Sequence, residues 1–458
     1  MESDRKAAER VQQDPNRPVY HITAPANWIN DPNGPIFHHG VWHMFYQHNP
    51  YGDDWGNMHW GHVRSRNLAQ WEHLPIALWP SKEVAEEHVF SGCAAIRSDG
   101  KPVIFYTSIG RGKSASEYAE QWMAIGDKDL VKWEKASSNP ALSESLHGNT
   151  KIWDWRDPFL FKYRGGDYMV LGGNLNKAKG GEAIVALYKA KDSSLEKWEY
   201  LGILFKHPDP TVVNIECPNF FEVDGKWVLI VSPHRRVEYF VGTFDGRRFT
   251  HETQGLMDHS DNYYAPNCTT DGKGRRILWG WIRGFKGGQG WNGALTLPRV
   301  LNVDGNGKLN QWPVDEAVML RLPELFSIRA KLSPTKMYSA EIPTPQLEIS
   351  AEFTSGNNSG MRIFKTETNP GLEIFYSNGE LKVGDKSMPL VLGANDFLRL
   401  YVFVDHSVVE VYANATVCFT SVYYPQSYGG DVEFFSKGNA NLNASIDPLG
   451  GGGWNLPE

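Results

Sequence analysis

Three acidic residues, each followed within two positions by a proline, are the side chains in this sequence best suited to carry chemistry. Asp31 lies in the run Trp-Ile-Asn-Asp-Pro-Asn-Gly, Asp157 in Arg-Asp-Pro and Glu216 in Glu-Cys-Pro. Neighbouring carboxylates separate their pKa values, so one can stay ionised as a nucleophile while another holds a proton as an acid. The alternative for the first run is a plain turn, because Asn-Asp-Pro-Asn-Gly is also a good turn sequence. Since the acidic-plus-proline pattern recurs, we favour a shared catalytic site.

An internal repeat indicates how residues so distant in sequence could meet. A Leu-x-x-Trp-Glu pattern ends near Trp71, Trp133 and Trp198 at nearly constant spacing, and a weaker copy ends at Phe249. Repeats of this length are typical of propellers and solenoids. The tryptophans look structural, because they recur where no catalytic set can repeat.

A second repeat, of short hairpins, interleaves with the first. Aromatic and β-branched runs with glycine at the bend occupy residues 35–46, 159–170 and 219–230, and looser copies begin near Phe90 and Tyr263. Such runs predict hairpins. Five of them predict an all-β fold, a five-bladed β-propeller between about residues 20 and 310. The first strand of every blade lines the central channel, so the three acidic sites would converge at one end of it.

The sequence changes character after the predicted propeller. Residues 315–322 predict a short helix, and alternating strands resume near residue 346, which predicts a β-sandwich. We read Asp405 and His406 as turn residues of a hairpin over residues 398–412. The predicted order is an N-terminal segment (1–19), the propeller (20–312), a linker (313–340), the sandwich (341–450) and a flexible tail (451–458).

Composition excludes several functional classes. The net charge is −7 with basic residues scattered, which argues against nucleic acid or an anionic membrane surface as partner. Four dispersed cysteines form neither a disulfide framework nor a zinc site, so we expect no metal and no cofactor. The charged stretch from Glu2 to Asp14 predicts an exposed helix, not a signal peptide, and no stretch is apolar enough to span a membrane. As it stands the chain would be cytoplasmic, or secreted if a leader precedes it.

The ordered set of motifs resembles glycoside hydrolase family 32, the β-fructosidases. Besides the three acidic motifs, the matching runs are Phe45-Tyr46-Gln47, residues 55–62, Phe90-Ser91-Gly92, Tyr263-Tyr264-Ala265 and residues 293–299. The resemblance implies a propeller that carries the active site, followed by a β-sandwich. It also implies a retaining hydrolase that releases fructose from sucrose or β-fructans by double displacement.

The resemblance assigns roles residue by residue. Asp31 matches the family's nucleophile, Glu216 its general acid/base, and Asp157 the carboxylate that binds fructose hydroxyls and stabilises the transition state. The positions matching the fructose pocket are Asn30, Gln47, Trp55, Phe90, Ser91, Arg156, Cys217, Tyr264 and Trp281. Cys217 is equally well explained as a packing residue. The sequence departs from the family at Cys93, where a small hydroxyl residue is common, and at Asn262, where an acidic residue is expected.

The proposed chemistry makes electrostatic expectations. A retaining enzyme needs an ionised nucleophile and a protonated acid roughly 5 Å apart. We expect amide and backbone donors to keep Asp31 ionised, and Asp31 with Asp157 to raise the pKa of Glu216. Arg156 would hold Asp157 ionised and oriented.

Two other functions fit the same motifs. A fructosyltransferase would use the same residues with a sugar as acceptor, and a catalytically silent propeller would only bind sugar. The presence of all three carboxylates argues against the silent propeller. Sucrose 6-phosphate would require a basic subsite, and the sequence shows no basic cluster near the motifs. Chain-length preference, oligomeric state and compartment stay open.

Overall fold

The computed structural model describes residues 2–110, 112–113, 118–177, 180–323, 326–342, 344–393 and 397–451. Five sheets precede residue 314 and two larger sheets follow it. This arrangement confirms the prediction of a five-bladed propeller followed by a β-sandwich. Most of the predicted tail, residues 452–458, lies outside the described residues.

Each propeller blade is a meander of four antiparallel strands. The first two blades contain β1 (Asn27–His38), β2 (Val41–Asn49), β3 (His59–Ser65), β4 (Glu72–Leu78), β5 (Glu86–Ile96), β6 (Pro102–Gly110), β7 (Ala119–Gly126) and β8 (Trp133–Lys135). The next two contain β9 (Trp153–Tyr163), β10 (Gly166–Leu175), β11 (Glu182–Ala190), β12 (Trp198–Lys206), β13 (Glu216–Val223), β14 (Lys226–Ser232), β15 (Glu238–Phe244) and β16 (Phe249–Leu256). The fifth is built from β17 (Tyr263–Thr270), β18 (Arg276–Ile282), β21 (Arg299–Val303) and β22 (Leu309–Pro313).

The first strands of the blades form the inner ring. Strands β1, β5, β9, β13 and β17 contact one another in that order, and β17 contacts β1 again. Between β18 and β21 the chain adds β19 (Trp291–Asn292), which pairs in parallel with β1, and β20 (Ala294–Leu295), which pairs with β18. The last blade is thereby tied to the first, which closes the ring.

An irregularity at the same level of all five inner strands positions the candidate site. Pairing with the second strand of the blade shifts register within residues 29–36, 89–92, 156–159, 216–219 and 264–267. In four blades the irregular stretch contains a residue with positive φ directly before a proline: Gly34 (46°), Asp157 (61°), Cys217 (46°) and Ala265 (45°). Bulges of this kind redirect side chains and are frequent beside active sites. The acidic residues fall within these stretches, but at different offsets from the proline.

The repeated tryptophans have the structural role predicted for them. In each copy the indole N–H donates to the carbonyl oxygen of the leucine three residues earlier, at 2.8 to 3.2 Å. Each leucine has a positive φ near 60°. The donor–acceptor pairs are Trp71 with Leu68, Trp133 with Leu130 and Trp198 with Leu195. The repeat therefore encodes the turn that leads into the outermost strand of a blade.

The second domain is a sandwich of two six-stranded sheets around an apolar core. One sheet contains β23 (Phe326–Leu332), β25 (Gln346–Thr354), β30 (Leu398–Asp405), β31 (Val408–Ala413), β32 (Val417–Val422) and β34 (Ala440–Pro448). The other contains β24 (Tyr338–Glu341), β26 (Ser359–Lys365), β27 (Leu372–Ser377), β28 (Glu380–Val383), β29 (Lys386–Pro389) and β33 (Asp431–Ser436). Strands β23 and β24 lie within the predicted linker yet pair with β34 and β33, so the sandwich sheets begin before residue 341. The predicted helix after the propeller is a 3-10 helix, Asp315–Leu320.

Our interpretation of Asp405 as a turn residue was wrong. It is the last residue of β30, is fully buried, and accepts hydrogen bonds from the backbone N–H groups of Val19, Tyr20 and His21 at 2.8 to 2.9 Å. His406 does occupy the turn, with φ 53°. The carboxylate thus fastens the segment that enters the first blade onto the sandwich.

The N-terminal helix α1 (Glu2–Val11) is only partly as predicted. Ala8 and Val11 are 1% and 2% exposed, and Val11 packs in one apolar cluster with Trp291 and Phe285, so the helix is not wholly exposed. Within the described part of the chain, no helix is both long and apolar enough to cross a membrane.

Candidate active site

The structure brings the three acidic residues together at one end of the propeller channel. They come from the first, third and fourth blades, and Cys217 lies between two of them. Its Sγ is 3.4 Å from Asp31 Oδ2 and 3.5 Å from Asp157 Oδ2. Cys217 therefore packs between two of the carboxylates, and its role in binding substrate stays a prediction.

Asp31 is held by neutral donors. Ser91 Oγ donates to its Oδ2 at 2.6 Å, and Asn30 Nδ2 donates to its Oδ1 at 3.0 Å. The Asn30 amide is itself fixed, because the Trp28 indole N–H donates to Asn30 Oδ1 at 2.7 Å. Burial raises the pKa of Asp31 above its ordinary value, while the bonds from Ser91 and Asn30 oppose that shift.

Asp157 is oriented from both sides by backbone contacts. The Cys217 N–H donates to its Oδ2 at 2.8 Å, and its own N–H donates to Thr107 Oγ1 at 2.9 Å. Burial raises the pKa of Asp157 to about 7; the positive charge of Arg156 opposes this, and the carboxylates of Glu216 and Asp31 add to it. We expected Asp157 to be kept ionised by Arg156, and that expectation was wrong.

The guanidinium of Arg156 contacts two other carboxylates and not that of Asp157. Its Nη2 donates to Asp154 Oδ1 at 3.0 Å, and its Nη1 is 3.2 Å from Glu216 Oε1. Arg156 thus pairs with the predicted acid/base and with a carboxylate that the sequence did not single out. Its side chain also lies against the ring of Phe90, with Cζ 5.8 Å from the ring centroid.

Glu216 faces the side chains of an arginine and a histidine as well as a neutral hydroxyl donor. Arg156 Nη1 and His234 Nε2 both lie 3.2 Å from Oε1, and the Tyr264 hydroxyl donates to Oε2 at 2.9 Å. Burial alone would raise the pKa of Glu216, but the bond from His234 and the charge of Arg156 outweigh it and lower the pKa to about 2. The predicted raised pKa of Glu216 is contradicted, because two cationic partners face it and the nearby carboxylates do not dominate.

Aromatic side chains line the cleft around these carboxylates. Trp55 is 54% exposed and lies edge-on to Phe90, with ring centroids 5.9 Å apart. On the other side Trp281 lies edge-on to Trp28 at 5.7 Å. Gln47 is buried, and its Nε2 donates to the carbonyl of Val89, which enters the bulge that carries Ser91. These contacts link the aromatic residues and Gln47 to the strands that carry the carboxylates, and their part in binding sugar stays a prediction.

Sequence reasoning missed three charged side chains at the cleft: Asp154, His234 and Arg283. Arg283 lies over the Tyr264 ring at 4.4 Å and near the Trp281 ring at 6.0 Å. His234 could have been found from the hairpin register, because Glu216 pairs with Ser232 across β13 and β14. Ser232 is the last residue of β14, and His234 follows it by two positions, so His234 must lie near Glu216.

Comparisons with known proteins identify the family of the chain. The sequence matches the Glycosyl hydrolases family 32 N-terminal domain over residues 21–313 and the Glycosyl hydrolases family 32 C terminal domain over residues 325–448. The chain belongs to glycoside hydrolase family 32. Membership of this family makes the protein a glycoside hydrolase.

Individual family 32 relatives align over much of their length. A sucrose-6-phosphate hydrolase of Escherichia coli is 31% identical, covering 92% of each chain. An insoluble beta-fructofuranosidase isoenzyme of Daucus carota is 34% identical over 76% of this chain and 64% of its own. The structure of a family 32 beta-fructofuranosidase from Bombyx mori superposes with a TM-score of 0.80 at 26% identity, covering 99% of each chain.

The two departures from the family 32 pattern lie outside the carboxylate cluster. Cys93 is buried and pairs with Phe105 within the second blade. Asn262 donates to the carbonyl oxygen of Arg283 at 2.8 Å and accepts from the backbone N–H of Val422 at 3.3 Å. Asn262 therefore joins the fifth blade to the sandwich.

Proposed function

We propose that this glycoside hydrolase is a retaining β-fructosidase that releases fructose from sucrose and from β-fructans by double displacement. The observation that supports it best is the cluster in which Cys217 bridges Asp31 and Asp157 while Glu216 faces a separate set of donors. Two carboxylates in unlike surroundings suit two roles in one reaction.

In the proposed mechanism Asp31 attacks the anomeric carbon of the fructosyl unit and Glu216 protonates the leaving oxygen. Ser91 and Asn30 would hold Asp31 in the geometry of attack. Asp157, fixed by the Cys217 N–H, would bind fructose hydroxyls and stabilise the oxocarbenium-like transition state. Water then hydrolyses the covalent intermediate, with Glu216 acting as base.

The substrate panel that tests this function is sucrose, sucrose 6-phosphate, 1-kestose, inulin and levan. We expect fructose from sucrose, and higher fructo-oligosaccharides only as minor products. Sucrose 6-phosphate belongs in the panel because Arg283 places a cation at the cleft that the sequence did not reveal.

Retention is tested by adding methanol as acceptor. A double displacement must yield methyl β-fructofuranoside, whereas a single displacement yields the α anomer. The matched control is Asp31→Asn, which should produce neither fructose nor methyl fructoside. If the wild-type enzyme releases no fructose from any of the five substrates, the proposal is refuted.

A further inference from the structure

His234 is a half-exposed histidine that is linked to the acid/base of the proposed reaction directly and through Tyr264. It lies between β14 and β15, with 53% of its side chain exposed and a left-handed backbone (φ 59°). Its Nε2 is 3.2 Å from Glu216 Oε1. Its backbone N–H donates to the Tyr264 hydroxyl at 3.1 Å, and that hydroxyl donates to Glu216 Oε2. One residue thus acts on both oxygens of the carboxylate.

The donor set of Glu216 leaves little room for a proton on Oε1. Arg156 can only donate, because a guanidinium has no acceptor site. A protonated imidazole can also only donate. An imidazole that is neutral, or that has moved away, would let Oε1 carry hydrogen. Glu216 Oε1 contacts Arg156 and His234. Of these two contacts, the one with His234 is open to solvent, because His234 is half exposed and lies on a loop.

We propose that His234 is a positioning residue that holds Glu216 ionised in the free enzyme, and that release of this contact allows Glu216 to take up the proton that it delivers to the leaving oxygen. The proposal rests on the proposed function. In the uptake step an O–H bond forms on Glu216, and the proton comes from solvent or from His234 Nε2, whose electron pair stays on the nitrogen. Water returns a proton to Glu216 in the second half of the reaction. When the contact with His234 forms again, Glu216 passes this proton to solvent or back to His234 Nε2, so the cycle closes with no net change in either residue.

Other charged groups also face this pair, and they determine how the test is designed. Glu216 faces Arg156 directly and Asp31, Asp157 and Cys217 across the cluster, while His234 also faces Arg156 and Asp154. Asn214 Nδ2 lies 3.4 Å from His234 Nε2. On the same loop Arg236 pairs with Asp261 at 3.0 Å, away from Glu216. Arg236→Gln is therefore a matched control that removes one positive charge from the loop without touching the pair.

The test is the pH profile of kcat/KM for sucrose, since its basic limb reports the acid of the free enzyme. His234→Asn removes the charge and keeps a residue that tolerates the left-handed backbone. We expect its basic limb to move to higher pH by roughly one unit, the effect of losing a nearby opposite charge. His234→Lys keeps a positive charge and should return the limb to its wild-type position, and Arg236→Gln should leave it unmoved.

A second measurement does not depend on turnover. The imidazole of His234 can be titrated by NMR, its signal being assigned by its loss in His234→Asn. The hydrogen bond with Glu216 raises the pKa of His234, so Glu216→Gln should lower it. An unchanged ring titration, an unmoved kcat/KM limb in His234→Asn, or a rise in KM alone would overturn the inference. Wild-type enzyme that acts on no fructoside refutes the proposed function instead, while the ring titration still tests the pair.

Discussion

Two clusters of charged side chains, one buried between the domains and one facing the cleft, show what separates a structural ion cluster from a candidate catalytic one. The interdomain cluster joins His21, Asp258 and Arg299 of the propeller to Asp405 and Glu410 of the sandwich, and all five are at most 1% exposed. Each oxygen of its three carboxylates accepts at least one hydrogen bond. Its carboxylates also face two fully buried cationic side chains.

The cleft cluster is organised differently. Asp31 is bonded to neutral donors, and the hydrogen bonds found for the Asp157 side chain among the described residues all end on Oδ2. The cations Arg156 and His234 both lie on the Glu216 side. In the interdomain cluster every carboxylate oxygen is hydrogen-bonded, which makes the cluster rigid. The cleft cluster has its cations on one side only, and it leaves carboxylates with perturbed pKa values facing a cleft, as acid and nucleophile chemistry requires.

The largest expected effect is on turnover, and it comes from replacing an aspartate by asparagine in the cleft cluster but not in the interdomain cluster. Asp31→Asn should lower kcat for sucrose by roughly 10⁴-fold or more while the protein stays folded, because the isosteric amide cannot form the covalent intermediate. Asp258→Asn, the matched change between the domains, should lower the melting temperature and leave kcat of the folded enzyme nearly unchanged. If Asp31→Asn turned over sucrose at close to the wild-type rate, Asp31 could not be the nucleophile.

A smaller effect sharpens the role of Glu216. Glu216→Gln should slow turnover of sucrose by about 10²- to 10⁴-fold, the usual contribution of a general acid. A fructoside with an acidic leaving group needs less protonation, so its fructosylation step should be slowed far less. Pre-steady-state release of the leaving group measures that step. Equal losses on both substrates would contradict general acid catalysis by this residue.

Breaking the interdomain cluster should affect stability alone. Asp405→Ala leaves His21 Nδ1 and three backbone N–H groups without their acceptor, and breaking a buried pair costs about 3–5 kcal/mol of unfolding free energy. Denaturant unfolding measures this loss, and turnover of the folded variant for sucrose should stay close to normal. An inactive Asp405→Ala protein with an unchanged melting temperature would place part of the active site in the sandwich.

The smallest expected effect is a pH dependence of that stability. Burial would lower the pKa of His21, but its hydrogen bonds to Asp405 and Glu410 raise it to about 9 from the ordinary 6.5. A raised pKa in the folded state gives stability that is complete below pH 6.5 and is lost as the pH rises through about 9. The difference in melting temperature between wild type and His21→Gln should therefore shrink between pH 6.5 and pH 9. A difference that stays constant over this range would show that His21 is not protonated in the fold.

Local sequence patterns determined the architecture and predicted that the three acidic motifs converge. Each Leu-x-x-Trp-Glu copy forms a turn through a hydrogen bond between residues three positions apart. Because the contact is local, the turn can be predicted from the sequence alone. The hairpin runs likewise determine strands that pair with their sequence neighbours. Because the inner strand of each blade lines one channel, the acidic motifs could be assigned to one cleft.

Only the tertiary structure decided the electrostatics and the junction between the domains. Whether Arg156 serves Asp157 or Glu216 depends on the backbone turn at a bulge, where φ is positive at Asp157 and Cys217. His234 meets Glu216 across a hairpin, and Asp405 meets His21 across 384 positions of sequence. Short-range patterns carry no information about such contacts, because the pKa of a buried carboxylate depends on every charge within a few ångströms, whatever its place in the chain.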